Sequence, residues 1–168
     1  DEMSVADKAR KVEDYIKRNF HVINASIAEL NSIGFILEQK VASTEGATRL
    51  YLAIFNELDI KAQIALTCNR FNTKFDQEFE ANNFVTETLI YLPKAKNYIQ
   101  PGSLTARLGL LSPGYINTYA LFVKEVKVQG FGSGVGKIKY IKPPKYDMNF
   151  DNILVEVDFD EDDFTSTN

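Results

Sequence analysis

Ala42-Ser43-Thr44-Glu45-Gly46-Ala47-Thr48-Arg49-Leu50-Tyr51-Leu52-Ala53-Ile54-Phe55-Asn56-Glu57-Leu58 is the stretch whose reading decides the fold. Its first five residues have the small polar character of a helix cap, where Ser and Thr oxygens accept hydrogen bonds from the first free backbone N–H groups. From Ala47 onward apolar side chains fall on nearly every face of a helical projection. A helix of that kind is covered on most sides by other elements. A short buried helix entered through a Ser/Thr cap therefore predicts a core built around it.

Working outward, Ser4 and Asp7 resemble a capping box with Asp in place of the usual Glu. Val5, Ala9, Val12, Ile16 and Phe20 follow at helical spacing with charged residues between them, which predicts an amphipathic helix lying over the core. A second helical tendency runs over 26–41 and breaks near Ser32-Ile33-Gly34. Beyond the central helix the pattern changes to strands, over 62–68, 84–92, 119–126, 137–141 and 153–159. The segment 101–114 holds two prolines and three glycines and reads as a long loop. Helices first and antiparallel strands after is the α+β arrangement. No internal repeat is visible, and the acidic tail 158–163 reads as frayed.

Composition narrows the function classes. With 168 residues the chain is one domain's worth, and its 45% apolar and 25% charged residues are ordinary for a globular protein. A formal net charge of -4 without a basic block is a poor match to nucleic acid or an anionic lipid surface. Cys68 is the single cysteine and His21 the single histidine, so no internal disulfide forms and a structural zinc site lacks ligands. No apolar run approaches the roughly 20 residues that span a bilayer. The opening Asp1-Glu2-Met3-Ser4 is polar and makes no signal peptide, and the chain reads as a domain cut from a longer protein. No cofactor and no metal is expected.

The motifs carry less chemistry than they first promise. Gly130-Phe131-Gly132-Ser133-Gly134-Val135-Gly136-Lys137 has the glycines of a phosphate loop but not its spacing, and Ile138 stands where Ser or Thr would hold magnesium. It reads as a flexible connection between strands. His21, at the end of the first helix, reads as a surface residue, and Cys68 in a strand reads as a small buried hydrophobe. Asn24-Ala25-Ser26 fits a glycosylation sequon, a triplet frequent enough by chance to carry little weight. Asp76, Glu78 and Glu80 sit at alternate positions beside Phe75 and Phe79, as a solvated charged edge or as paired carboxylates for acid–base work.

Three stretches, taken in order, resemble the transglutaminase-like superfamily over about residues 5–125. In that family a nucleophilic cysteine opens a buried helix that ends in an apolar pair before a strand. Here Ala42-Ser43-Thr44 leads into the buried helix, which closes on Leu58-Asp59-Ile60, and Thr44 falls at the cysteine position. The family's histidine opens a strand after an Asn-rich or aromatic turn. Asn82-Asn83-Phe84-Val85 resembles that turn and puts Asn83, or its neighbour Asn82, at the histidine position. The family's aspartate precedes a proline, and Tyr98-Ile99-Gln100-Pro101-Gly102 puts Gln100 there. Arg107-Leu108-Gly109 and Leu121-Phe122-Val123 continue the likeness, which is to transglutaminase-like domains in envelope proteins of Bacteroides-type bacteria.

The resemblance implies a papain-like core over 1–125, with N-terminal helices and one buried central helix on an antiparallel sheet. A β-rich extension over 126–168 follows it. It also implies a periplasmic or secreted setting, with an extended peptide, a glycan or neighbouring domains of the same chain as partners. Thr44, Asn83 and Gln100 reproduce the shape and hydrogen bonding of the triad but not its proton chemistry, because a threonine hydroxyl needs a base and amides do not accept protons near neutral pH. The expectation is a non-catalytic module. The competing expectation is a hydrolase working through Cys68 or through Asp76, Glu78 and Glu80.

Overall fold

The computed structural model describes residues 3–78, 85–128, 131–145, 153–156, 158–159 and 166–167, with backbone alone at 125–128, 131–132 and the last two pairs. Helix α1 spans Val5–Asn19, and its cap is the expected Ser4, whose Oγ accepts from the Asp7 N–H at 3.1 Å. Ala9, Val12 and Ile16 form its buried stripe. Strand β1, His21–Ile23, leaves α1 directly and carries His21 on the surface, in a strand rather than at the helix end. A 3-10 turn over Ala28–Asn31 and helix α2, Ile33–Gln39, divide the second helical stretch at Ser32, where the break was expected. Lys40 ends α2 in the left-handed conformation, φ 59°, and the chain returns as β2, Val41–Ser43, parallel to β1.

The central helix α3 spans Thr44–Glu57. Its cap is Ser43 and not Thr44: the Ser43 Oγ accepts from the Gly46 N–H at 2.9 Å and donates to Asn31 Oδ1. Leu50, Tyr51 and Phe55 are buried against Ala9, Ile16 and Ile36, whereas Arg49, Asn56 and Glu57 reach solvent, so the helix is covered on fewer sides than its composition implied. Gly46 is where the turn over 28–31 crosses the helix. A Cβ there would lie 1.9 Å from the Leu30 carbonyl oxygen, a distance no side chain tolerates.

Among the described residues five antiparallel strands make the sheet. They are β3 (Gln63–Thr67), β4 (Glu87–Leu92), β5 (Asn97–Ile99), β6 (Thr118–Val128) and β7 (Phe131–Ile141), in the order β5-β4-β3-β6-β7. Alternation along β4 sends Ile90 and Leu92 toward α1 and α3, and Leu89 and Tyr91 to the opposite face. On that second face Ala65, Ala120, Phe122 and Ile141 pack under Leu111, Tyr115 and Ile116 of the loop over 101–117. Tyr91 sits 4.9 Å from Tyr98 and 5.3 Å from Phe122 between ring centroids, in a tilted and an edge-to-face contact. The chain is thus an α+β protein in which β4 and β5 are covered on both faces.

An ion pair fastens the covering loop. Glu13 and Lys17 are one helical turn apart on α1, with the Lys17 Nζ 2.7 Å from the Glu13 carboxylate and both side chains nearly inaccessible. Lys17 also donates to the Ala106 carbonyl, and the Glu13 Oε2 accepts from the Leu108 N–H at 2.7 Å. Burial lowers the Lys17 pKa, and the adjoining carboxylate opposes that shift. The nearby Tyr51 hydroxyl has no hydrogen-bond partner, and burial pushes its pKa well up.

Two features of the second half differ from expectation. The glycine run is strand rather than flexible connection, since residues from Phe131 onward pair with β6 in unbroken register. Gly134 and Gly136 make room there: Cβ atoms would come within 3.1 Å of Val123 and 2.8 Å of Leu121, whose side chains lean across β7. Position 125 falls inside β6, and β7 belongs to the same sheet as β3–β5. The strand expected over 153–159 is absent from Ile153 to Glu156, where the side chains are exposed and, among the described residues, nothing pairs with the backbone. A short pairing of β8 (Asp158–Phe159) with β9 (Ser166–Thr167) lies beyond it.

Gly46→Ala is expected to lower the unfolding free energy by about 3 kcal/mol or more, the upper range for overpacking, because the obstructing atom is backbone. Gly34→Ala, where the nearest atom is 4.0 Å away, is expected to stabilise α2 by about 0.5 kcal/mol through helix propensity. Urea denaturation of the two variants checks both signs.

Candidate functional site

At the loop-covered end of the sheet, buried Gln100 stands among four half-buried polar side chains. Thr44 opens α3, Glu87 opens β4, Gln100 follows β5, and Ser112 and Tyr115 descend from the covering loop. The Gln100 amide nitrogen donates to Glu87 Oε2 in a long contact of 3.5 Å. Its oxygen accepts from the Ser112 N–H at 3.2 Å and from the Ser112 hydroxyl at 2.9 Å. Gly102 lies between Thr44 and Glu87: a Cβ on it would stand 3.1 Å from Thr44 Oγ1 and 3.6 Å from Glu87 Oε1. Any larger residue would be wedged between the hydroxyl and the carboxylate.

Glu87 is the residue that reading the sequence missed. Its Oε1 is buried with no hydrogen-bond partner. Desolvation raises the carboxyl pKa above its ordinary 4.5, against the smaller opposing effects of the Tyr115 hydroxyl, Gln100 and the Thr88 backbone. Tyr115 responds in kind, its pKa raised first by burial and then by the Glu87 charge. A signal for Glu87 was present in the alternation itself. Val85, Glu87, Leu89 and Tyr91 share one parity of the strand, and an acidic residue among positions destined for burial marks a buried polar group.

The structure brings two of the three triad-position residues to this cluster. Thr44 is in the first turn of α3, half-buried, and its hydroxyl makes no hydrogen bond to Glu87 or Gln100. Gln100 is buried between Glu87 and Ser112. Asn83 and its neighbour Asn82 lie outside the described residues. Glu87 stands at the start of the strand that the histidine would open.

The alternative constellations are elsewhere in character. Cys68, just past β3, is fully buried, and its thiol contacts the Thr73 carbonyl at 3.2 Å. Desolvation pushes its pKa up, away from thiolate character. Asp76 and Glu78 are exposed in a bend where the Asp76 carboxylate accepts from the Glu78 N–H at 2.9 Å, a local turn bond. Glu80 lies outside the described residues.

Cavities do not coincide with the cluster's centre. The larger, about 1270 Å³, is an open groove beside the C-terminal half of α3, lined by Leu52, Ala53, Asn56, Ile64, Val123 and Gly134. A smaller one of about 430 Å³ lies at the cluster's margin, lined by Leu66, Val85, Thr86, Glu87, Thr88 and Leu121. Among the described residues no helix is long and apolar enough to cross a membrane.

No family model, curated protein or solved structure matches this chain.

The Glu87 carboxyl links the cluster to pH. Well below its ordinary value of 4.5 the group is protonated in folded and unfolded chains alike, and no charge is buried at this position. As pH rises through the raised folded-state value, the unfolded chain has already released its proton, so stability is lost. Glu87→Gln, which keeps the shape without the charge, is expected to gain stability relative to the parent between acid and neutral pH. Paired urea titrations well below pH 4.5 and near neutrality read this difference directly.

Proposed function

We propose that this chain is a non-catalytic module of the transglutaminase-like, papain-like type, serving as a binding or structural domain of a larger cell-envelope protein. The reading rests on the resemblance in the sequence together with one observation. A threonine in the first turn of the central helix, a residue opening the facing strand and an amide at the end of the next strand meet at one pole of the sheet. In that reading Glu87 is a second candidate for the position of the base, beside Asn83. The partners proposed are an extended peptide, a glycan, or neighbouring domains.

Proton chemistry supports the non-catalytic part. A nucleophile must be within hydrogen-bond reach of its base, and the Thr44 hydroxyl bonds to neither Glu87 nor Gln100. Gln100 spends its oxygen on Ser112 and so braces the loop over the strands. A hydrolase built on Cys68 or on Asp76, Glu78 and Glu80 draws less support, because the thiol is sealed and the two described carboxylates are spread on the surface. For a polymer ligand the groove beside α3 offers more open surface than the cluster does.

Restoring the chemistry tests the assignment. Thr44→Cys combined with Glu87→His is expected to create a thiol that iodoacetamide alkylates well below neutral pH, activated by the helix N-terminus and the imidazole. Thr44→Cys with Asn83→His serves as the comparison for the other assignment of the histidine position. Buried Cys68 supplies an unreactive internal control. If neither double variant differs from Thr44→Cys alone, reacting as an ordinary thiol with a pKa near ~8.5, the transglutaminase-like reading fails.

A further inference from the structure

The sheet ends on an open edge. β7 pairs with β6 along all 11 of its residues, and among the described residues no strand lies on its other side. Unpaired backbone groups along such an edge are a template for another extended segment. Natural edge strands are commonly short or interrupted by a bulge, yet β7 is about twice the usual strand length and its register is continuous. The strand exposes Lys137 and Lys139, with Val135, Ile138 and Tyr140 each more than a third exposed. Lys142 and Lys145 extend the positive charge past its end.

One segment of the chain complements that edge. Ile153, Leu154 and Val155 are 78%, 85% and 70% exposed, above every other large apolar residue among those described. Branched apolar side chains of this kind favour a pleated, half-covered surface. Glu156 follows them, and the sequence continues through Asp158, Asp160, Glu161, Asp162 and Asp163. The segment is thus apolar and negative where the edge is apolar and positive. Pro143 and Pro144 stand just beyond the end of β7. They fix the backbone torsions there and lack N–H groups, so they do not continue the pairing of β7.

We propose that Ile153–Glu156 of one copy adds as a strand along β7 of a second copy, and that the reciprocal exchange closes a two-fold dimer. A reciprocal pairing satisfies the two β7 edges at once and leaves neither of them for further growth. The assembly does not depend on how the Thr44–Glu87–Gln100 cluster is read.

Sedimentation equilibrium of the full chain, with exchange of the outward-facing β7 amides (those not bonded to β6) as a second readout, tests it. Val155→Pro removes one backbone donor at an exposed position and spares the core. Lys137→Glu with Lys139→Glu reverses the charge of the edge. The parent chain is expected to dimerise with those amides protected in a concentration-dependent way, and each variant to weaken association roughly tenfold or more. High salt is expected to act like the charge reversal. A parent chain that stays monomeric with those amides unprotected overturns the proposal and leaves the lysines as guards of the edge. A dimer indifferent to Val155→Pro also overturns it, placing the contact elsewhere. So does a monomer whose protection of those amides is independent of concentration and lost in Val155→Pro, since the chain would then be using its own segment.

Discussion

Glu13 and Lys17 sit on α1, far in sequence from the loop they hold, and that loop covers half of the sheet. The Leu108 N–H and the Ala106 carbonyl are backbone groups in a stretch with almost no regular structure of its own, so they need partners from elsewhere. The carboxylate takes the donor and the ammonium takes the acceptor, and each neutralises the other in a place that water does not reach. Buried ion pairs are weak sources of net stability, because desolvation offsets the attraction, but they are demanding about geometry. Here that demand fixes the start of the loop. With residues 106–108 fixed, Leu111 and Tyr115 fall over the second face of the sheet, and Ser112 reaches Gln100.

The helices were largely legible in the sequence because they are specified locally. Ser4, Ser32 and Lys40 mark boundaries through capping or backbone conformation. Strands β3, β4 and β6 were legible from alternation. The glycine run was not, because Gly134 and Gly136 are strand residues only by virtue of Leu121 and Val123, which fill the space on a neighbouring strand. The β1–β2 pair was also hidden: three residues carry no periodicity, and their pairing is set by where α2 deposits the chain.

The candidate site divides in the same way. Thr44 announced itself through the helix it opens, and Gln100 through the proline after it. Glu87 was invisible as a single letter in a polar-looking stretch, and only its parity with Val85, Leu89 and Tyr91 marked it for burial. Glu13 was hidden too, one of several charged residues between the apolar positions of α1. What makes it buried is a loop about two helices and five strands later, which no local pattern encodes.

That separation has a kinetic consequence. The contact between Glu13 and the Leu108 amide spans 95 residues of chain, and contacts of such span form late because closing the intervening loop costs entropy before anything is gained. During synthesis α1 emerges long before its acceptor. Placing the lysine four residues from the glutamate lets each satisfy the other in the meantime, as an ordinary helical ion pair in water. The same two side chains thus act first as a local helix contact and only afterwards as the latch of the finished domain.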